Sequence, residues 1–490
     1  RRLVEAVSGR PIGCVATQRV VKCPDSGGVI MAEGFVWRGV VEGFYGKPWT
    51  HSERMDMLAF MSDVGMNAYL YAPKDDLYHR QRWRAPYPAD LLARLSELAS
   101  HARRHGITFV FAVSPGLSLR YSDRRDQDAL LAKLKAMHDA GVHAFALLYD
   151  DIPAELRHEE DRKAFGNSLA AAQISFTNAV FARLKELSDQ TSLIVCPTQY
   201  CGDPATEYVR ELGAGLDPAI DVMWTGPAVC SKELTLEHTK AVAGSLNRPI
   251  TYWDNYPVND GPMKSELHIG PYTGRSPYLP EAAKGIFLNP MNQAEASKIA
   301  LAAAARYLTS PVQYDPRSAW EDAVVHVLGK DALGACVLFA DACAISPLHP
   351  EDPPGIASVL EKARKRAEGG ELGEAAGILS SYMLEMKASA AMLSGNPNRK
   401  FVEEVKPWLE EFSAWAEIGL YTTKLIQAAQ AYVVAASAAR SRLSRFLRAL
   451  PILRTRSRLV RMLARSVRFK TRTCGNSVLS LALDVLRRVG

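Results

Sequence analysis

The stretch AFALLYDDIPAEL, residues 144–156, places two carboxylates, Asp150 and Asp151, directly after an apolar run that reads as a buried strand. Two adjacent like charges repel, and taking each out of water costs several kcal/mol. Standing alone, such a pair would read as a helix N-cap or a surface turn. Chemistry offers another reason for it. Glycoside hydrolysis ordinarily uses two carboxyl groups about 5–9.5 Å apart across the scissile bond, a geometry that consecutive residues cannot supply. A consecutive pair fits the substrate-assisted variant instead. There a 2-acetamido group on the sugar is the nucleophile, one Asp accepts its N–H and steadies the developing oxazoline, and the other protonates the leaving oxygen. Sharing one site also pushes the two proton affinities apart, which helps one carboxyl stay protonated.

Such chemistry needs elements that bring scattered side chains together. From Trp37 to about Pro311 the sequence alternates strand and helix patterns. The strand candidates are WRGVVEGFYG, NAYLYAPK, ITFVFAVSP, HAFALLYDD, SLIVCPTQY, IDVMWTGP, PITYWDN and KGIFLNPMN. Helical segments lie between most of them, several ending on Gly; only the seventh, GRSPYLPEAA, is poor and supplies a turn or two. Eight βα units predict an α/β fold, a (β/α)8 TIM barrel. A doubly wound open sheet is the alternative, but GVVEGFYG lacks the GxGxxG spacing expected after its first strand. Beyond residue 313 strand patterns stop, and helical period with breaks at HPEDPPG (349–355) and SGNPNRK (394–400) predicts an appended all-α helical bundle. The expected organisation is an N-terminal arm (1–36), a catalytic barrel (37–312), a helical bundle domain (313–450) and a basic C-terminal tail (451–490), with Pro451 breaking the helix that precedes it.

Barrels of this kind carry their catalytic groups at the C-terminal strand ends. Unusual polar residues collect there: Glu42, Gly43 and Tyr45; Lys74, Asp75 and Asp76; Asp150 and Asp151; Gln199 and Tyr200; Trp224 and Thr225; Trp253, Asp254, Asn255 and Asp260; Asn289 and Asn292. Aromatic faces that cover a sugar ring and amides or carboxylates that bond its hydroxyls suit this set. Asp and Asn also ligate Mg²⁺ or Ca²⁺, so a metal site competes. Some members have plainer readings. Lys74 could pair with Asp75 or Asp76, and Glu42 reads as structural. Asp254 should face away from the mouth, because neighbouring strand residues face opposite sides. Tyr45 and Trp49 read as local packing, and Cys201 as a buried thiol.

Composition excludes little else. At 48% apolar and 23% charged the chain is that of an ordinary globular protein, with no uncharged apolar run of membrane-spanning length. No apolar h-region follows the first residues, so no secretory signal is expected. Eight cysteines show no CxxC pair and no clustered His, which argues against zinc and for free thiols in a reducing cytoplasm. The net charge of +6 is uneven: residues 438–490 hold fourteen Lys or Arg against one acid, Asp484, so the remainder is net acidic. Arg recurs in the tail at helical spacing with Leu, Val and Phe between. That is the pattern of a terminal helix with solvated Arg, or of a contact with nucleic acid or an anionic membrane.

Taken together, GVVEGFYGKPW, YLYAPKDD, FALLYDDI, CPTQYCG, WTGP, WDNYPVND and LNPMNQAEASKIAL resemble glycoside hydrolase family 84, the protein O-GlcNAcases and bacterial β-N-acetylglucosaminidases, some labelled hyaluronidases. The motifs fall in order at seven of the eight strand ends, over residues 37–312. The resemblance implies a retaining exo-glycosidase acting through an oxazoline, with no metal and no cofactor. It makes Asp150 the carboxylate that polarises the acetamido group and Asp151 the general acid and later base. Tyr200 assists at the acetamido side, Thr225 and Trp253 wall the N-acetyl pocket, and Asn255 bonds near it. Gly43 (through its carbonyl), Lys74, Asp260 and Asn289 hold the sugar hydroxyls. Gln199 departs from the animal enzymes, which carry Glu there, and NQAEASK is bacterial in style. The implied partner is a GlcNAc-bearing glycoprotein or glycan. The helical domain is expected to border a peptide groove and to mediate homodimers in some members. A non-catalytic GlcNAc or glycopeptide binder, and a hyaluronidase-like enzyme acting on GlcNAc-containing polymers, remain the alternatives, with a metal-dependent hydrolase behind them.

Overall fold

The structure is a computed structural model that describes residues 34–345, 353–436 and 442–489. Most of the expected N-terminal arm, and most of the HPEDPPG break, lie outside the described residues.

Eight parallel strands close into a barrel in chain order: β1 (Trp37–Glu42), β2 (Ala68–Tyr71), β3 (Thr108–Val113), β4 (Ala144–Leu148), β5 (Ser192–Cys196), β6 (Asp221–Trp224), β7 (Ile250–Asp254) and β8 (Ala283–Leu288). Closure comes from β1 pairing with β8, Val40 opposite Leu288. The strands alternate as pleated strands must. Val41, Leu70, Ala146, Leu148, Ile194, Met223 and Phe287 fill the barrel interior. Their neighbours Val40, Tyr69, Phe145, Leu147, Val195 and Val222 pack into a second, larger core under the helices.

The surrounding helices are α1 (His51–Asp63), α2 (Ala89–Arg104), α3 (Arg124–Asp139), α4 (Glu159–Phe165), α5 (Leu169–Leu187), α6 (Glu207–Gly215), α7 (Leu236–Leu246) and α8 (Ala294–Thr309). Their starts are written in the sequence. Thr50 and Glu53 form a capping box on α1, and Asp123, Ser168, Thr206 and Thr235 cap α3, α5, α6 and α7. Between β7 and β8 the helix is reduced to short 3-10 turns at Gly261–Met263 and Leu279–Glu281.

Among the described residues seven α-helices follow: α9 (Pro316–Leu328), α10 (Leu333–Ala342), α11 (Pro354–Glu368), α12 (Leu372–Ser394), α13 (Arg399–Ala436), α14 (Arg442–Ser466) and α15 (Ser477–Val489). They dock on the barrel through specific bonds. Trp320 and Trp408 donate their indole N–H groups to the carbonyls of Ile269 and Ser265 in the β7–β8 segment, at 2.6 and 2.8 Å. Glu404 of α13 accepts the backbone N–H groups of Glu295 and Ala296 at the N-terminus of α8, at 3.1 and 2.9 Å.

One expectation needs correction here. Pro451 does not break a helix: α14 runs through it, as α13 runs through Pro407. A proline removes one backbone donor from a helix, and α14 is long enough, and backed by α13, to continue past that loss. Residues 451–490 follow the plainer of the two patterns read in the tail, terminal helices packed on the bundle with solvated Arg. Leu459, Val478 and Ala482 are buried. Arg472 N donates to Ser265 O and Cys474 N to Ala342 O, each at 2.8 Å, and Thr471 Oγ1 donates to Glu411 at 2.6 Å. The arginines Arg454, Arg456, Arg461 and Arg465 face solvent on the outer side of α14. No described helix is long and apolar enough to cross a membrane.

Candidate active site

The C-terminal strand ends converge on one cavity of about 100 Å³. All ten residues to which the family resemblance gives a role line it: Gly43, Lys74, Asp150, Asp151, Tyr200, Thr225, Trp253, Asn255, Asp260 and Asn289.

Asp150 and Asp151 both face this cavity, although consecutive strand residues point to opposite sides. The backbone of Asp151 resolves the conflict. Its φ is +54°, in the left-handed region that non-glycine residues enter only at a cost. That turn brings the second carboxylate round to the side of the first.

The two carboxylates then have different surroundings. Asp150 is buried and takes a hydrogen bond from the Lys74 ammonium on Oδ2, while its Oδ1 is buried with no partner among the described residues. Burial pushes its proton affinity up. The Lys74 charge and hydrogen bond outweigh that, with Arg80 and His79 adding to them, and the carboxyl sits below its ordinary range. Burial likewise opposes the charge on Lys74, and the Asp150 carboxylate holds it above the usual lysine value. Asp151 is exposed to the cavity mouth. It accepts the hydroxyl of Tyr200 on Oδ1 at 3.0 Å and that of Tyr45 on Oδ2 at 2.6 Å.

The walls are fixed by their own bonds. Trp253 and Asn289 both donate to Asn255 Oδ1, at 3.0 and 2.9 Å, and Asn255 Nδ2 donates to Val229 O at 2.7 Å. This leaves Asn255 one N–H for a ligand. Thr225 donates its backbone N–H to Tyr200 O and its hydroxyl to Ala228 O, at 2.7 and 2.8 Å. A Cβ on Gly43 would lie 2.2 Å from the Trp253 ring, so only glycine lets the indole close this side. Asp260 accepts Tyr45 N at 2.7 Å, and burial raises its proton affinity.

Other strand-end residues turn away. Glu42 is wholly buried, accepting from Arg54 twice at 2.7 Å and from the Tyr69 hydroxyl. Asp254 binds Arg275 and the Tyr272 hydroxyl outside the barrel. Asp76 accepts the hydroxyls of Tyr71 and Tyr87 rather than pairing with Lys74. Trp49 packs against Phe44 and donates to Met291 O. Gln199 and Asn292 hold loops, through Thr206 and Asp203 and through Lys47. Among the described residues no three His, Cys, Asp or Glu are grouped to hold a metal ion.

Three participants were not legible as such. Tyr45, read as local packing, instead offers its hydroxyl to Asp151; its place two residues after Gly43 was the available signal. Arg80 donates to that hydroxyl at 2.9 Å from a loop with no motif character. Cys230 lines the cavity with Val229, and burial raises its thiol to about 11, which keeps it neutral.

A family model described as beta-N-acetylglucosaminidase matches residues 38–341. The curated relatives include Protein O-GlcNAcase of Rattus norvegicus and of Mus musculus. Each is 39% identical over 269 residues, 54% of this chain but only 29% of the relative's length. Among solved structures, a mutant of the Thermobaculum terrenum O-GlcNAc hydrolase is 41% identical with a TM-score of 0.87, over 93% of this chain and 95% of that one. A protein designated CpGH84B is 28% identical with a TM-score of 0.79, over 93% and 78%.

Proposed function

We propose, from the premise that this chain belongs to the beta-N-acetylglucosaminidase family matched over residues 38–341, that it is a retaining exo-β-N-acetylglucosaminidase that removes O-GlcNAc from Ser or Thr of proteins. The observation that carries this reading is the pairing of a buried, charged Asp150 with an exposed Asp151 in one cavity, Asp150 keeping one oxygen unpartnered. A buried acceptor without a donor costs about 1–3 kcal/mol. An acetamido N–H in the cavity would satisfy it.

In the first step Asp151 gives its proton to the glycosidic oxygen while the acetamido oxygen attacks C1. The C1–O bond breaks and the aglycone leaves as its alcohol. Asp150 accepts the amide N–H, and its negative charge offsets the positive charge that builds on the oxazoline. In the second step Asp151, now a carboxylate, takes a proton from the water that attacks C1. The oxazoline opens and the β configuration is kept.

A protein aglycone is favoured over a free sugar by the space next to Asp151. A second cavity of about 470 Å³ shares Asp151 and Tyr200 with the first and is lined by Ile152, Leu169, Gln199 and Tyr208. It offers an apolar surface on the side where the leaving group departs. A non-catalytic binder would have no use for an acid held in a strained turn at that place.

The test is turnover of an O-GlcNAc peptide beside a chitobiose and a hyaluronan oligomer, with stepwise fluorination of the acetamido methyl on an aryl glycoside. Peptide turnover and a steep fall of rate with fluorination are expected. A rate indifferent to fluorination would mean that a side chain, not the substrate, is the nucleophile.

A further inference from the structure

Arg80 is a cation buried to 8% exposure that makes no ion pair among the described residues. One guanidinium N–H goes to the Tyr45 hydroxyl at 2.9 Å, and another to the backbone carbonyl of Asp151 at 3.4 Å. The guanidinium also lies over the Tyr45 ring, 5.8 Å from its centroid. Burying a charge without a carboxylate is unfavourable unless its donors are used well. Here both donors end at the Asp151 residue, one directly and one through a phenol.

A guanidinium can only donate. With Arg80 on a lone pair of the Tyr45 oxygen, the phenol proton must point elsewhere, and Asp151 Oδ2 is the acceptor it meets at 2.6 Å. The same guanidinium contacts the peptide whose φ is +54°. We infer that Arg80 is a positioning residue for the proton donor: through Tyr45 and the Asp151 main chain it fixes the hydrogen bond that reaches the Asp151 carboxylate, and so favours the charged form that acts as base on water. This rests on the role given to Asp151 under the proposed function.

The other titratable groups facing Asp151 are Tyr200, which donates at 3.0 Å, and Lys74, Asp150, Asp260 and Cys196 around the same cavity. None of these accepts a hydrogen bond from Arg80. Without Arg80 the Tyr45 hydroxyl is free to turn, and the charged form loses a fixed donor. Asp151 then keeps its proton to higher pH.

The experiment compares Arg80→Met, Arg80→Lys, Tyr45→Phe and the double variant Arg80→Met/Tyr45→Phe in the full chain. It reads the pH profile of kcat/KM on an alkyl-linked and on an activated aryl GlcNAc substrate. Arg80→Met and Tyr45→Phe are each expected to move the alkaline limb up by roughly half a unit to one unit. The double variant should move it no further, because both act on one hydrogen bond, and Arg80→Lys should fall between wild type and Tyr45→Phe. A limb that stays in place, with or without proportional loss on both substrates, overturns the proposal, as do additive shifts. Should Arg80→Met fail to fold, Arg80→Lys against Tyr45→Phe carries the same comparison. Asp151→Ala separates the two readings. If it loses both substrates equally, the acid assignment itself is wrong; if it spares the aryl substrate while the Arg80 variants leave the limb unmoved, only the positioning role falls.

Discussion

Lys74 reaches from the end of β2 to Asp150 at the end of β4, and both side chains are almost closed to solvent, at 2% and 9% exposure. The pair holds Asp150 in its charged form. Burial alone would hold Asp150 neutral; the ammonium reverses the sign.

Lys74→Met should therefore let burial win. The charged form of Asp150 is present above its depressed value and is lost as pH falls through it, so raising that value moves the acidic limb of kcat/KM upward. Activity at neutral pH should fall by more than tenfold even with the best aryl leaving group, because Asp150 acts on the acetamido group and not on the leaving group. Lys74→Arg, which keeps a charge, should leave the acidic limb lower than Lys74→Met does. A limb at the same pH in wild type and Lys74→Met would show that the ammonium does not control Asp150.

The left-handed backbone at Asp151 invites a comparison of Asp151→Gly with Asp151→Ala. Both lose the acid, so both should lose most activity on alkyl leaving groups, general acid catalysis being worth about 10²–10⁴-fold. Only glycine relieves φ of +54°. Against its greater freedom in the unfolded chain, Asp151→Gly should be about 0.5–1 kcal/mol more stable than Asp151→Ala in urea unfolding. Equal stability would mean that the turn carries no strain.

Much of this site was legible because barrels put function at strand ends and the strands were clear apolar runs. Asp150, Lys74 and Asn289 could be placed from that alone. Tyr45 and Arg80 could not, since their roles depend on a loop after β1 meeting a loop after β2, which no local pattern encodes. Glu42 and Asp254 were rightly set aside: each ends its strand on the outer face, where Arg54 and Arg275 meet it. Pro451 misled because a proline's local penalty was weighed without the long partner helix α13. The basic tail left two patterns open because its arginines are conspicuous, while the sparse residues that anchor it, such as Val478 and Ala482, carry no motif.

Glu404, which caps α8 from α13, is held up to about 7 by burial, against backbone hydrogen bonds from Ala296 and Glu295 that lower it. A carboxyl raised in the folded state contributes most below its unfolded value near 4.5, and that contribution is lost as pH rises through about 7. Glu404→Gln removes the charge but keeps an acceptor for only one of the two N–H groups, which meet Oε1 and Oε2 separately. It should therefore be less stable than wild type near pH 5 and by a smaller margin at pH 8, because wild type loses about 1–3 kcal/mol over that interval and the variant does not, read from urea unfolding at the two pH values. A margin that does not shrink between pH 5 and pH 8 would show that the charge on the α8 N-terminus outweighs its burial.

Deleting residues 470–490 tests where the working barrel ends. No described residue after Asn289 lines the catalytic cavity, so aryl glycoside turnover at low temperature should be kept. Stability should not be kept. The deletion removes α15, whose Val478, Ala482 and Val485 are buried, and the backbone bonds that tie Arg472 to Ser265 and Cys474 to Ala342. A large apolar side chain taken out of contact loses about 1.5–3 kcal/mol of burial, and the deletion also exposes the faces of α11 and α13 that α15 covers. Several kcal/mol should go, seen as a lower melting temperature with activity intact well below it. Loss of aryl glycosidase activity at an unchanged melting temperature would put part of the catalytic machinery in the C-terminal segment, and the barrel alone would no longer account for the chemistry.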